Sequence, residues 1–127
     1  MPMFNFGFDH GFIILRLICG LFFIPHIYGK FFVPAALDFF KAANFKPPAF
    51  WMYVACVVEV VIAIGLILGI YTPYAAALGA LQLTIAGVAT LKVNGGKWLW
   101  NIGGAEYPFF WALTCLAVAI YTWPAMM

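Results

Sequence analysis

The sequence predicts an all-α fold: an integral membrane bundle of four transmembrane helices, with a short interfacial helix between the first helix and the second. Two observations support this prediction. Of the 127 residues, 67% are hydrophobic and 8% are charged, and the mean hydropathy is +1.06, whereas about 25% of the residues in a soluble domain are charged. Four apolar stretches also approach the roughly 20 residues with which a helix crosses about 30 Å of hydrocarbon.

The four stretches are bounded by residues that end or begin helices. The stretches cover about 10–31, 49–70, 73–92 and 106–123, and together they form one domain, 1–127. The residues that separate them are Pro47-Pro48, Tyr71-Thr72-Pro73, Asn94-Gly95-Gly96 and Gly103-Gly104. Between the first two stretches, Pro34 is well placed to open the short interfacial helix.

The buried face of each helix follows from helical spacing. Steps of three and four residues along the second stretch join Met52, Cys56, Glu59, Ala63 and Leu66. Equivalent lines on the other stretches collect most of the small and polar side chains and leave Leu, Ile, Val and Phe for the lipid. The bundle is therefore predicted to be polar inside.

Lysine residues predict the orientation of the bundle. The connection between the first two stretches carries Lys30, Lys41 and Lys46, and the connection between the last two carries Lys92 and Lys97. The termini and the turn at residues 71–73 carry neither lysine nor arginine. Since positively charged loops tend to stay in the cytoplasm, we expect both termini on the opposite side of the membrane.

Five polar side chains within the apolar stretches are candidates for a polar core: Arg16, His26, Lys30, Glu59 and Gln82. Ionisable groups in hydrocarbon are costly and usually mark functional or pairing sites. We expect Arg16 to pair with Glu59, because the length of an arginine side chain covers their difference in depth. Two interpretations of the set stay open. It is a structural polar core that fixes helix register, or it binds a small ligand such as a quinone head group, or relays a proton.

The connection between the third and fourth stretches is richer in special residues than a simple linker requires. Four glycines permit a tightly folded backbone. The residues expected to form a cap over the polar core are Asn94, Trp98, Trp100, Asn101, Glu106 and Tyr107. This cap is either an interfacial cover for the bundle or a lid over a ligand.

Residue spacing argues against several other kinds of site. Cys19, Cys56 and Cys115 lie singly on three helices, which disfavours a thiol oxidoreductase and favours small buried side chains. His10 and His26 are expected at opposite ends of the first helix, so neither a haem nor a metal site is predicted. There is no phosphate-binding glycine loop and no basic patch for nucleic acid. We therefore assign neither a catalytic residue nor a resident cofactor.

The pattern of these residues resembles that of the DoxX family of small four-helix membrane proteins. The similar segments are Leu15-Arg16-Leu17, Pro25-His26, Gly29-Lys30, Val58-Glu59-Val60, Tyr71-Thr72-Pro73 and Gly103-Gly104-Ala105-Glu106-Tyr107-Pro108. The resemblance implies a bacterial inner-membrane protein tied to redox systems, since relatives include subunits of a thiosulfate:quinone oxidoreductase. The termini would then face the periplasm.

Two functions are compatible with this resemblance. The first is an accessory or anchoring subunit, not catalytic on its own, of a quinone-linked membrane oxidoreductase or respiratory complex. Its partners would be the lipid bilayer and the larger subunits of that complex. The alternative is a free-standing membrane protein that binds or moves a small hydrophobic molecule through its polar bundle core.

Overall fold

The computed structural model describes residues 2–99 and 103–126, with side chains within 10–99 and 103–123, and most of these residues are helical. No strand occurs in these ranges, so the all-α prediction is confirmed. The helices are α1 (Pro2–Leu21), α2 (Phe23–Phe32), α3 (Pro34–Ala42), α4 (Pro48–Leu68), α5 (Thr72–Asn94) and α6 (Glu106–Met126).

Three segments of the described residues are long and apolar enough to cross a membrane: His10–Phe32, Pro48–Leu68 and Thr72–Asn94. Each agrees with one of the first three predicted stretches to within two residues at either end. Helix α6 begins where the fourth predicted stretch begins and ends three residues beyond it, but it is not among these three segments, so the fourth span stays a prediction. The short helix predicted between the first two stretches is α3, which has proline in its first turn.

The first membrane segment consists of two helices, α1 and α2, separated at Phe22. The backbone at Phe22 keeps helical torsion angles, and its N–H still donates to the carbonyl of Ile18 at 3.1 Å. Pro25 explains the interruption, because a proline cannot donate a backbone hydrogen bond and its ring collides with the carbonyl four residues earlier. Helix α2 can therefore run in a direction different from that of α1.

Among the described residues, side chains from α1, α2, α4, α5 and α6 form one apolar core, whereas α3 contributes no buried residue. Helices α5 and α6 pack along each other, α4 packs on α5, and α1 closes the bundle between α4 and α6, while α2 and α3 pack on α4. The stripe predicted on α4 is buried, as expected. Large apolar residues cover the outside, as in a lipid-facing surface: Val57, Leu81, Phe110 and Leu113 are each more than half exposed.

Arg16 satisfies the carboxyl-terminal end of α4. That helix ends at Gly69 in the left-handed conformation, with φ of 72°, which leaves its last carbonyl groups without helical donors. The Arg16 guanidinium donates to the carbonyl oxygens of Leu66 at 2.6 Å and of Ile67 at 3.3 Å. Its positive charge also suits the negative end of the helix dipole.

The expected pairing of Arg16 with Glu59 is therefore wrong. In hydrocarbon an unsatisfied carbonyl group costs several kilocalories per mole, because no water can replace the missing donor. A guanidinium has five N–H groups, so Arg16 can serve two carbonyls at once at the end of α4. Glu59 is left to find another cation.

Replacing Arg16 with methionine should lower the melting temperature of the detergent-purified protein. The change keeps much of the side-chain volume but strands the carbonyls of Leu66 and Ile67, at about 1–3 kcal/mol for a buried group. Leu15→Met is the matched control on the exposed side of the same turn, and it should leave the melting temperature nearly unchanged. Equal melting temperatures for the two variants would contradict the capping role of Arg16.

Candidate functional site

A cavity of about 440 Å³ lies inside the bundle at the end that carries α3. Its volume is within the range of about 300–1,000 Å³ that is typical of small-molecule sites. Five helices, α2 to α6, supply its walls. Most of the lining is apolar, and the aromatic side chains among it are Phe39, Phe40, Phe45, Trp51, Tyr107 and Trp111.

A buried ion pair forms the polar part of the cavity wall. The Lys30 ammonium lies 2.8 Å from Oε1 of Glu59, and the two side chains are only 10% and 8% exposed. Lys30 also donates to the backbone carbonyl of His26 at 3.4 Å. From α5, the side-chain amide of Gln82 donates to Oε2 of Glu59 at 3.3 Å. The pair and its amide neighbour thus join α2, α4 and α5.

Oε1 of Glu59 is left without a hydrogen bond. The atom is buried, and no described residue donates a hydrogen bond to it. The Lys30 contact is close enough for charge attraction, but its direction is not that of a hydrogen bond. Buried carboxylate oxygens normally accept at least one hydrogen bond. An acceptor therefore remains available behind the Lys30 ammonium.

His26 lies on α2 within an aromatic part of the wall. Its ring centre is 5.2 Å from that of Trp111 and 6.2 Å from that of Tyr107. The Trp111 indole N–H donates to the carbonyl of Cys19 at 3.3 Å, which holds the ring between α6 and α1. No hydrogen bond reaches the His26 imidazole from the described part of the chain, so its nitrogens can face a ligand.

The loop before α6 is tightly folded around Asn94. The Asn94 amide donates to the carbonyls of Lys97 and Gly103, and its oxygen accepts from the N–H groups of Gly96 and Lys97. A side chain at Gly104 would overlap with the carbonyl of Trp98, so that position requires glycine. The described parts of the loop, 95–99 and 103–105, are thereby held against the start of α6.

The predicted cap residues have different roles in the structure. Tyr107 lines the cavity, Trp98 stacks on Phe109, and the backbone N–H of Glu106 donates to the Trp98 carbonyl. Trp100 and Asn101 lie outside the described residues, so their place in the cap stays a prediction.

Four of the five predicted core residues meet at the cavity: His26, Lys30, Glu59 and Gln82. Arg16 does not, because it caps α4 near the opposite end. Sequence reasoning missed the aromatic wall. One signal for it was available, since Tyr107 and Trp111 are four residues apart and share a face of α6.

The other candidate ligand groups are dispersed. Among the residues whose side chains are described, 10–99 and 103–123, no group of three His, Cys, Asp or Glu could hold a metal ion. The three cysteines are free thiols and all are buried.

Lys30 and Glu59 should show strong energetic coupling. Lys30→Gln and Glu59→Gln should each destabilise the purified protein by about 3–5 kcal/mol, because each leaves the other charge stranded in low dielectric. The double variant should lose much less than the sum, since two neutral amides remain. A double-mutant cycle on melting temperatures, or on denaturant unfolding in detergent, measures this coupling.

The control cycle combines Arg16→Gln with Glu59→Gln. These residues have separate partners, so their effects should add to within about 0.5 kcal/mol. Additive losses for Lys30 and Glu59, or coupled losses for Arg16 and Glu59, would contradict the assigned pairing.

Comparison with known proteins identifies the family of the chain. The DoxX family model matches residues 11–92, a segment that contains Arg16, His26, Lys30, Glu59 and Gln82. Neither the curated proteins nor the solved structures include a match to this chain. Since the family model covers more than half of the sequence, the chain belongs to the DoxX family.

Proposed function

We propose that this protein binds a small, neutral, lipid-soluble molecule in the cavity, with the ring and polar head group of a quinone as the best fit. The observation that carries the proposal is the buried Lys30 and Glu59 pair in a largely apolar cavity with several aromatic side chains in its wall. Intramembrane ionisable groups that face a cavity are typical of substrate or ligand sites.

The charges of the pair favour a neutral ligand. The ammonium of Lys30 and the carboxylate of Glu59 cancel each other at 2.8 Å, so a charged ligand would bring an uncompensated charge into low dielectric. The aromatic side chains offer faces on which a flat ring can stack, in geometries that stabilise ring pairs by about 0.5–1.5 kcal/mol. A ring with polar edges and an apolar body therefore fits both the ion pair and the aromatic side chains of the cavity wall.

The supporting membrane arrangement has four spans, with α6 as the fourth. Helix α6 has 21 residues, carries a single acid at its first position and packs along α5. Helix α3 lies at the interface in this arrangement, because Asp38 and Lys41 are exposed whereas Phe39 and Phe40 turn toward the cavity. The lysine-bearing end faces the cytoplasm of a bacterial inner membrane, and both termini face the periplasm.

Cysteine labelling tests this orientation. A cysteine at Ala42, which is exposed at the end of α3, should be protected from an impermeant thiol reagent added to intact cells, while one at Pro2 should react. The three native cysteines are buried, which keeps background labelling low. Disruption of the cells should expose the residue 42 thiol. Reaction at residue 42 but not at residue 2 in intact cells would reverse the topology.

The family resemblance supports a role as an accessory or anchoring subunit of a quinone-linked membrane oxidoreductase. In this role the cavity forms part of the quinone pocket, and larger subunits carry out the redox reaction. The alternative, a free-standing protein that binds or moves its ligand, is favoured by the fact that five helices of this one chain line the cavity. Extraction in mild detergent separates the two: stable larger subunits support the first, and a small homogeneous particle with bound ligand the second.

Ligand binding itself can be measured through the tryptophans that line the cavity. A short-chain benzoquinone, tested in its oxidised and reduced forms, should quench the fluorescence of Trp51 and Trp111 saturably. His26→Leu should weaken binding about 3- to 10-fold, the worth of one hydrogen bond, while the protein stays folded.

Ile24→Leu is the matched control, because Ile24 is exposed on the same helix and does not line the cavity. It should bind as the wild type does. Quenching that never saturates for either form of the probe, or that is identical in wild type and His26→Leu, would contradict the proposed site.

A further inference from the structure

We infer that the cavity selects ligands that carry a hydroxyl group, such as a phenol or a hydroquinone, over the matching carbonyl or ether. This inference rests on the proposed function and names the chemistry that the site recognises. It follows from the hydrogen bonds that the Lys30 and Glu59 pair leaves unmade.

Glu59 supplies the acceptor. The residue is 6% exposed and lines the cavity. Its Oε2 accepts from Gln82, but its buried Oε1 receives no hydrogen bond from the described residues. A carboxylate oxygen can only accept, so a ligand that satisfies Oε1 must donate.

Lys30 supplies the matching donor. Its ammonium has three N–H groups, and the structure uses one of them in a long hydrogen bond of 3.4 Å to the His26 carbonyl. The ammonium presently covers Oε1 at 2.8 Å. Because the lysine side chain has a flexible four-carbon stem, it can shift toward the cavity and uncover the oxygen without losing contact with the carboxylate.

A single hydroxyl group can make the missing hydrogen bonds of both Lys30 and Glu59. Its O–H donates to Oε1 of Glu59 while its oxygen accepts from Lys30, so the three groups form a closed set of charge-assisted hydrogen bonds. Quinone carbonyls and ethers can only accept, which leaves Oε1 unsatisfied and brings two oxygens together. An amine cation or a carboxylate would unbalance the charge of the pair.

The presence or absence of this hydroxyl group should change the affinity of a ligand strongly. A buried site that hydrogen-bonds a hydroxyl rejects the analogue that lacks it more sharply than an apolar pocket rejects a missing methylene group, because the polar groups of the site are left unpaired. A hydrogen bond to a charged group contributes about 1.5–3 kcal/mol. We therefore expect at least a tenfold difference in Kd.

The experiment compares 4-butylphenol with its methyl ether, 4-butylanisole, in which a methyl group replaces the donor hydrogen and which is not related to the phenol by oxidation or reduction. Isothermal titration calorimetry of the detergent-purified protein gives both affinities, after subtraction of each compound's partition into empty micelles. The phenol should bind at least tenfold more tightly than the ether. Duroquinol should exceed duroquinone by a similar factor under anaerobic conditions.

Substitutions test whether the preference for a hydroxyl group depends on Lys30 and Glu59. In the double variant Lys30→Gln with Glu59→Gln, which avoids a stranded charge, the affinity ratio of phenol to ether should fall to about one. Glu106→Gln makes the same chemical change outside the cavity lining, and it should keep the wild-type ratio.

The outcomes separate the inference from the proposed function. Equal binding of phenol and ether by the wild-type protein overturns the inference and leaves the ligand cavity standing. A tenfold preference that persists in the double variant also overturns it, since the donor would then pair elsewhere. If none of the four compounds binds, both the inference and the proposed function fail.

Discussion

The ion pair between Lys30 and Glu59 is the interaction on which the functional end of the bundle depends. Either charge alone in the low dielectric of a membrane interior would cost several kilocalories per mole. Together, at 2.8 Å, they hold α2 against α4, and the Gln82 amide adds α5. The pair still leaves one carboxylate oxygen without a hydrogen bond. Because buried carboxylate oxygens normally accept a hydrogen bond, this unsatisfied oxygen at a cavity wall favours our proposal of a ligand site over a purely structural core.

The opposite end of the bundle is completed by the chain itself. Arg16 fills the hydrogen-bonding needs of the α4 carbonyls, and Gly69 permits the turn into α5. The Asn94 side chain likewise bonds to the backbone of Gly96, Lys97 and Gly103 in the described parts of the next loop. The polar groups at these positions already have hydrogen-bond partners within the chain, whereas His26, Glu59 and Lys30 retain unused donors or acceptors beside the cavity. The distribution of satisfied and unsatisfied groups thus indicates where a ligand can bind.

The sequence predicted the helices well because each depends on local signals. Apolar length, proline and glycine positions place α4 and α5 to within two residues, and helical spacing predicts the buried face of α4. It could not predict the ion-pair partner of Glu59. Arg16 and Lys30 both lie on the first membrane segment, and the choice between them depends on the unsatisfied end of α4 and on the direction of α2 after Phe22. The aromatic side chains that α3 adds to the cavity wall depend on how this short helix packs on α4. The spacing of residues in the sequence does not determine that packing.

The most direct test of this account is carbon-13 NMR of the protein in lipid bilayers with labelled glutamate carboxyl groups. The chain has two glutamates, Glu59 and Glu106, so Glu106→Gln assigns both signals. If Glu59 faces the ligand, its carboxyl signal should shift on addition of 4-butylphenol while that of Glu106 does not. A Glu59 signal that is unchanged at saturating probe, or a Glu106 signal that shifts equally, would contradict the assigned ligand site.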